Sequence, residues 1–293
     1  MLKEFAPAKI NLGLKILYKR NDGYHELQTI MQQIGLKDVL YLAKNASPDI
    51  ILHCYGLDLD EKDNLAYKAA CKIKEQANIR EGAVINLYKN IPSGAGLGGG
   101  SSDAAATLRG LNKLWNLNWH NRVLKDMGQE LGADVPFCVQ GGTVLAEGIG
   151  EKMTTLADMP FRGVVLARPP FLTVSTAQMY HGFACKGVAP TEVDFSDFVY
   201  ALEQKDRLHL QDWLRQNNLN DLESVAREQY PQLNALQDAF REMHLTPLMS
   251  GSGPTIFSLV ESVKSAMEKA AYLELRGYQA WASWTETSLD ETS

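Results

Sequence analysis

Residues 91–106 read Ile-Pro-Ser-Gly-Ala-Gly-Leu-Gly-Gly-Gly-Ser-Ser-Asp-Ala-Ala-Ala, with five glycines between Gly94 and Gly100. Glycine lets the backbone take positive φ and approach a ligand closely, and ordering it costs entropy that some contact must offset. Successive N–H groups turned inward form a concavity that binds anions. A helix leaving such a loop adds unpaired N–H donors and the positive end of its dipole. Pro92, Ser93, Gly94, Ala95, Gly96, Leu97, Gly98, Gly99, Gly100, Ser101 and Ser102 are therefore the candidate phosphate cradle. Ser101 and Ser102 either cap the helix or donate hydroxyls to phosphate. The bland alternative is a flexible linker or a tight structural turn. The loop lacks the lysine of a GxxxxGK[ST] phosphate loop. GxGxxG matches at Gly94, Gly96 and Gly99, but a dinucleotide site needs an acid roughly 20 residues on, and Lys113–Lys125 contains none. The HRD and DFG signatures of protein kinases are absent.

The elements around the loop must present it. Ala83–Tyr88 reads as a strand running in, and Ser101–Trp115 as a helix running out, with Ala105, Leu108, Leu111 and Trp115 on one face. Lys9–Ile16 alternates in part, as a strand does, and Ile34–Leu42 reads as another strand. Asn21-Asp22-Gly23 marks a turn. Asp63-Asn64 caps a helix whose Leu65, Ala69, Ile73 and Ala77 recur at helical spacing. Val144–Ala146 returns to the sheet. After a soft boundary near Asp158 come a β-rich run, Gly163–Ala167, closed by Arg168-Pro169-Pro170, then polar helical stretches over Phe195–Gln216 and Asn218–Gln229. Thr255–Val260 is a last strand, and residues from Glu286 read as a disordered polar tail. The predicted domains are 1–157 and 158–285, with the tail over 286–293.

The 293 residues are 45% apolar and 22% charged, ordinary for a soluble globular chain. A net charge of −6 argues against a general nucleic-acid or membrane-surface binder but leaves room for a local phosphate site. Cys54, Cys71, Cys138 and Cys185 form no CxxC pair, so neither structural zinc nor a disulfide framework is expected. No HxxxH or HExxH occurs. The N-terminus lacks a signal-peptide apolar run, and no stretch approaches the roughly 20 apolar residues of a bilayer span. The expectation is a cytoplasmic protein, a monomer or weak homodimer.

Three segments stand in an order that resembles the GHMP kinases, the family of galactokinase, homoserine kinase and mevalonate kinase. They are Pro7-Ala-Lys-Ile-Asn-Leu-Gly-Leu14, the glycine loop, and Ser250-Gly-Ser-Gly-Pro-Thr-Ile-Phe257, which together span nearly the whole chain. The resemblance implies an α+β fold of two domains with the active site in the cleft between them, and ATP with Mg²⁺ as donor. Asn21-Asp-Gly-Tyr-His-Glu-Leu27 and Leu131-Gly-Ala-Asp-Val-Pro-Phe137 resemble the branch whose acceptor is a cytidine diphosphate-linked methylerythritol. That branch transfers the γ-phosphoryl to the 2-hydroxyl, in the non-mevalonate route to isoprenoids.

The resemblance also implies roles. Lys9 and Asp134 become a catalytic pair, since phosphoryl transfer depends on positioning and charge stabilisation. Asp134 is either a general base or an orienting group that keeps Lys9 charged; a simple helix cap is its structural alternative. Asn11, two residues beyond Lys9 and on the same strand face, positions the acceptor. His25 reads the cytosine edge, Tyr24 lines that pocket, and Tyr180 is the candidate for stacking on the base, with core packing as its alternative. Asn64 and Asn112 contact adenine or ribose, or serve as a helix cap and an exposed helix residue. Gly251 and Gly253 brace the phosphate loop or form a structural turn. No protein metal ligand is assigned: ATP and water hold the Mg²⁺, joined by Ser101 or Ser102. The competing readings are another kinase of the superfamily, a non-catalytic nucleotide-binding module and, more distantly, a dinucleotide oxidoreductase.

Overall fold

The computed structural model describes residues 1–160, 162–186, 195–216 and 219–289. Its first half is a six-stranded sheet backed by helices. Strands β1 (Leu2–Lys19) and β2 (His25–Asn45) form a long antiparallel hairpin. On its other edge β2 pairs with β4 (Gly82–Tyr88) through its second half and with β5 (Thr143–Gly148) through its first. Strand β3 (Ile50–Tyr55) lies parallel to β4, and β6 (Lys152–Thr155) antiparallel to β5. Helices α1 (Leu65–Gln76), α2 (Gly99–Leu114), α3 (Asn121–Gln129) and α4 (Val135–Gln140) complete this half.

The chain changes sheet between Thr155 and Gly163. The second half contains β7 (Gly163–Arg168), then helices α5 (Thr176–Lys186), α6 (Phe195–Glu203), α7 (Arg207–Leu214), α8 (Asp221–Gln229) and α9 (Gln232–Glu242). Strands β8 (Leu248–Met249) and β9 (Ile256–Val260), helix α10 (Val263–Leu275) and strand β10 (Gln279–Trp284) follow. The second sheet has the order β10-β7-β9-β8 and is antiparallel throughout. The expected helical stretch 195–216 is thus two helices, because Lys205 takes φ 52° and Asp206 then caps α7 by accepting from the N–H groups of Leu208 and His209. Asn218, the expected start of the next helix, and residues 290–293 of the expected tail lie outside the described residues.

Strand β1 joins the halves. Its residues from Ala6 to Ile16 are buried without a break. A strand covered on both faces reads as a continuous apolar run, which is why Lys9–Ile16 alternates only in part. Ala6 belongs to the apolar cluster of the first sheet; Ala8, Ile10 and Leu12 belong to a second cluster with Val164, Phe198 and Trp213; Leu14 and Ile16 belong to a third with Leu222 and Phe240. The described part of the tail expected from Glu286, residues 286–289, is fixed instead. Glu286 N donates to Gln33 O at 2.9 Å, Gln33 Nε2 to Glu286 Oε2 at 3.0 Å, and Leu289 N to Gln140 O at 3.1 Å. The Glu286 carboxylate and the backbone N–H groups of Glu286 and Leu289 satisfy polar groups of the first half, a partnership that composition cannot report.

Candidate active site

The two halves meet around a cavity of about 1000 Å³. The glycine loop forms one wall. Gly94, Gly96 and Gly98 take φ of 62°, 74° and 68°, which an L side chain resists. Gly98 caps α2 with no side chain closing the first turn, so the helix starts at Gly99, two residues before the predicted Ser101. That start lines the cavity through Gly99, Gly100 and Ser101, where unpaired N–H groups can meet an anion.

A second turn, residues 250–253, braces the loop. A Cβ on Gly96 would collide with Ser250 O, and Ser250 Oγ donates to Gly96 O at 2.9 Å. From the same half, Arg168 Nη1 donates to Ser93 O at 3.0 Å. Gly251 and Gly253 lie in this turn, and a Cβ on Gly96 would come 2.9 Å from Gly253 O.

Lys9 lies under the loop. Its N–H donates to Leu97 O at 3.0 Å, and a Cβ on Gly98 would fall 2.9 Å from Lys9 Cγ. The register of β1 against β2 shifts just before Lys9, between Pro7 and Lys9, and again just beyond Asn11, between Asn11 and Gly13. Such bulges re-aim side chains, often beside functional sites. Lys9 Nζ lies 3.2 Å from Asp134 Oδ2 and donates to Asn11 Oδ1 at 2.8 Å. Asn11 Nδ2 donates to Thr29 Oγ1 at 2.8 Å, so its amide orientation is set and its oxygen faces Lys9. Asp134 precedes α4, yet its side chain makes no capping bond; its carboxylate is turned to Lys9 instead. The ammonium is buried while the carboxylate is about one-third exposed, so the pair opens toward the cavity.

The far end of the cavity is aromatic. Tyr24 lines it and is otherwise exposed; His25 and Tyr180 stack with ring centroids 5.4 Å apart and planes 25° apart. Burial, reinforced by Lys19, lowers the His25 pKa, so its imidazole is neutral at pH 7 and offers one donor and one acceptor. Burial pushes the Tyr180 hydroxyl well above its ordinary range, and it stays protonated.

Two expected ligand residues are corrected. Asn112 is occupied elsewhere: Nδ2 donates to Trp119 O and Oδ1 accepts from Trp119 N, both at 3.0 Å, closing the turn after α2. Ser102 is fully buried and donates to Pro7 O at 2.7 Å, so it anchors α2 to β1 while Ser101 alone of the two faces the cavity. Asn64 caps α1, its Oδ1 accepting from Ala66 N at 2.9 Å, and the residue also lines the cavity.

The sequence reading missed a buried cluster beneath the loop. Lys89, two residues before the loop, pairs with Asp38 of β2 and Asp103 of α2. Asp38 Oδ1 also accepts from the N–H groups of Asn90 and Ile91. One ammonium thus ties the entry of the loop to the helix at its exit. Burial works against the Lys89 charge, and the two carboxylates outweigh it; burial also raises the Asp103 pKa well above the carboxylate range. A lysine just ahead of the glycines was the available signal; nothing local marks Asp38.

A polyphosphate cradle facing a lysine–carboxylate pair, with a separate pocket beyond for the acceptor, is the arrangement of a small-molecule kinase. Residues 64–142 match the family described as GHMP kinases N terminal domain, and residues 198–276 match GHMP kinases C terminal. The chain is 44% identical over 276 residues to a 4-diphosphocytidyl-2-C-methyl-D-erythritol kinase of Geobacillus thermodenitrificans, covering 93% of this chain and 92% of that one. It is 42% identical over 277 residues to the protein of the same name from Bacillus subtilis, covering 94% and 93%. Among solved structures it resembles a 4-(cytidine 5'-diphospho)-2C-methyl-D-erythritol kinase, with a TM-score of 0.81 at 34% identity, over 97% of this chain and 99% of that one. The chain belongs to the GHMP kinases. It is an ATP-dependent small-molecule kinase of α+β fold with two domains.

Proposed function

We propose that the protein transfers the γ-phosphoryl group of ATP to the 2-hydroxyl of 4-diphosphocytidyl-2-C-methyl-D-erythritol, giving the 2-phosphate and ADP, a step of isoprenoid precursor synthesis. The observation that carries this reading is the Lys9–Asp134–Asn11 cluster, set between the phosphate loop and the pocket of Tyr24, His25 and Tyr180. The names of the relatives point to the same acceptor.

In this reading the loop N–H groups and the α2 N-terminus hold the ATP phosphates, and Asn64 contributes to the adenosine side of the cavity. His25 offers its donor and acceptor to the cytosine edge, and the rings of Tyr24 and Tyr180 pack on the base. Asn11 and Asp134 hold the acceptor hydroxyl. Its oxygen bonds to the γ-phosphorus as the bond to the β–γ bridging oxygen breaks, and its proton passes toward the Asp134 carboxylate. Lys9 pairs with that carboxylate and offsets charge gathering on the transferred group.

Mg²⁺ would neutralise charge on the β- and γ-phosphates. Among the described residues no three His, Cys, Asp or Glu side chains are placed to cage a metal. The residues present fit an ion held mainly by phosphates and water, with the Ser101 hydroxyl beside it. Among the described residues no helix is long and apolar enough to cross a membrane; we place the reaction in the cytoplasm.

The test is ADP release from Mg·ATP with the diphosphocytidyl methylerythritol acceptor, run beside mevalonate, homoserine and galactose. Turnover confined to the first acceptor is the expected result. Turnover with another acceptor would overturn the pocket assignment, and ATP binding without any turnover would favour a nucleotide-binding module.

A further inference from the structure

Asn220 stands just ahead of α8 and joins several parts of the molecule. Its Oδ1 accepts from Leu222 N at 3.0 Å and caps the helix. Its Nδ2 donates to Met249 O at 2.9 Å and to Gly251 O at 2.8 Å. Its backbone bridges to Leu14 of β1, whose N–H donates to Leu219 O at 2.8 Å. The residue is buried. Capping uses only Oδ1, and Ser, Thr or Asp would serve there equally well. The two amide N–H groups are what asparagine adds.

Those N–H groups hold the turn that roofs the catalytic pair. Gly251 comes so close that a Cβ there would lie 3.2 Å from Asn11 Oδ1 and 3.6 Å from Lys9 Nζ. The neighbouring Ser250 Oγ donates to Gly96 O at 2.9 Å, and Ser250 Oγ in turn accepts from Asn11 N at 3.3 Å. Asp221, next along the chain, pairs with Lys15 and accepts from Ile16 N at 2.8 Å. Strand β1, which carries Lys9 and Asn11, and the phosphate loop are therefore both registered against one turn, and that turn hangs on Asn220.

We propose that Asn220 is a positioning residue for phosphoryl transfer: its amide N–H pair sets the 250–253 turn over Lys9 and Asn11 and so aligns the phosphate cradle with the acceptor machinery. This rests on the kinase reading above. Asn220 touches no reacting atom; it acts through Gly251 and Ser250.

Two substitutions separate positioning from capping. Asn220→Asp keeps the size and the capping oxygen but turns an oxygen toward two carbonyls. Asn220→Ser keeps a capping hydroxyl and removes the amide. Each is expected to raise the KM for ATP and lower kcat, both on the order of tenfold, since small misplacements near the reacting groups carry large rate costs. The KM for the acceptor changes less than that for ATP, because the pocket for its base, Tyr24, His25 and Tyr180, lies on the turn before β2, on β2 and on α5. A merely structural role would lower the melting temperature and the active fraction and leave both KM values unchanged; that result overturns the proposal. Titration with a non-hydrolysable ATP analogue reads the same alignment without turnover. If the parent turns over no acceptor yet both variants bind the analogue about tenfold more weakly, the kinase reading fails and with it the role in transfer, while the hold of Asn220 on the phosphate cradle is retained. If the parent is active and both variants bind the analogue as it does, the positioning role is overturned.

Discussion

Lys9 and Asp134 are 125 residues apart in the chain, and their charges meet at 3.2 Å in the cavity that the glycine loop walls. Replacing either changes the chemistry more than the fold. For Lys9→Ala and Asp134→Asn we expect kcat to fall by about 10²–10⁴, with circular dichroism and melting temperature near the parent; a kcat close to the parent would remove the pair from the mechanism. His25 carries a pH prediction. Burial has already lowered its pKa, so the neutral ring persists through neutrality. Protonation removes the ring's acceptor, so the acceptor KM should stay flat until pH drops below the ordinary imidazole value of about 6.5 and then climb. His25→Gln should flatten that profile at a higher KM throughout, and a climb retained in the variant would assign the titration elsewhere.

At the scale of the element, the loop and the helix it enters are held by distinct contacts that can be tested apart. Gly96 meets the 250–253 turn backbone to backbone, at positive φ. Gly96→Ala must push the two walls apart, and it should raise the KM for ATP while the acceptor KM stays put. Ser102 offers the contrast. Its hydroxyl satisfies Pro7 O inside the core, so Ser102→Ala leaves a buried carbonyl without its donor and should cost about 1–3 kcal/mol of stability. Denaturant unfolding checks the loss, and the KM for ATP should not move; a raised KM would restore Ser102 to the phosphate site. The same elements explain why helix and strand types were legible from pattern while their ends were not. The start of α2 depends on Gly98 closing the loop, and β1 extends beyond its apolar stretch because β2 pairs with it to Lys19.

At the scale of the molecule, the halves share their interior. Strand β1 feeds all three apolar clusters, and the chain ends back on the first sheet through Thr285 and Glu286. Trp284 packs directly on Gly35, where a Cβ would collide with the indole, and Phe195 lies 2.8 Å from where a Cβ on Gly13 would stand. Calorimetry should therefore show one unfolding transition, since neither half keeps its core when the other opens. Gly35→Ala should lower that transition by overpacking the seam, by about 1–3 kcal/mol; two separated transitions would contradict a shared core.

The sequence by itself determined which residue types were available and roughly where: a glycine cradle between a strand and a helix, Lys9 and Asn11 on one strand face, an aspartate ahead of Val-Pro, an aromatic–histidine pair after a turn. These are local facts, set by backbone freedom and by periodicities of two and 3.6 residues. Only the tertiary structure decided which of those groups face the cavity. Ser101 and Ser102 are adjacent and alike, yet one helical step of about 100° sends one to the ligand and the other to Pro7. Asn112 has the chemistry of a base contact, but the turn after α2 consumes it. Lys89, Asp38 and Asp103 become a cluster, and Asn220 a support, through partners 14 and 51 residues away in the first case and 29 and 31 residues away in the second. Periodicity tells which side of an element is buried; what stands opposite is settled by how the layers close.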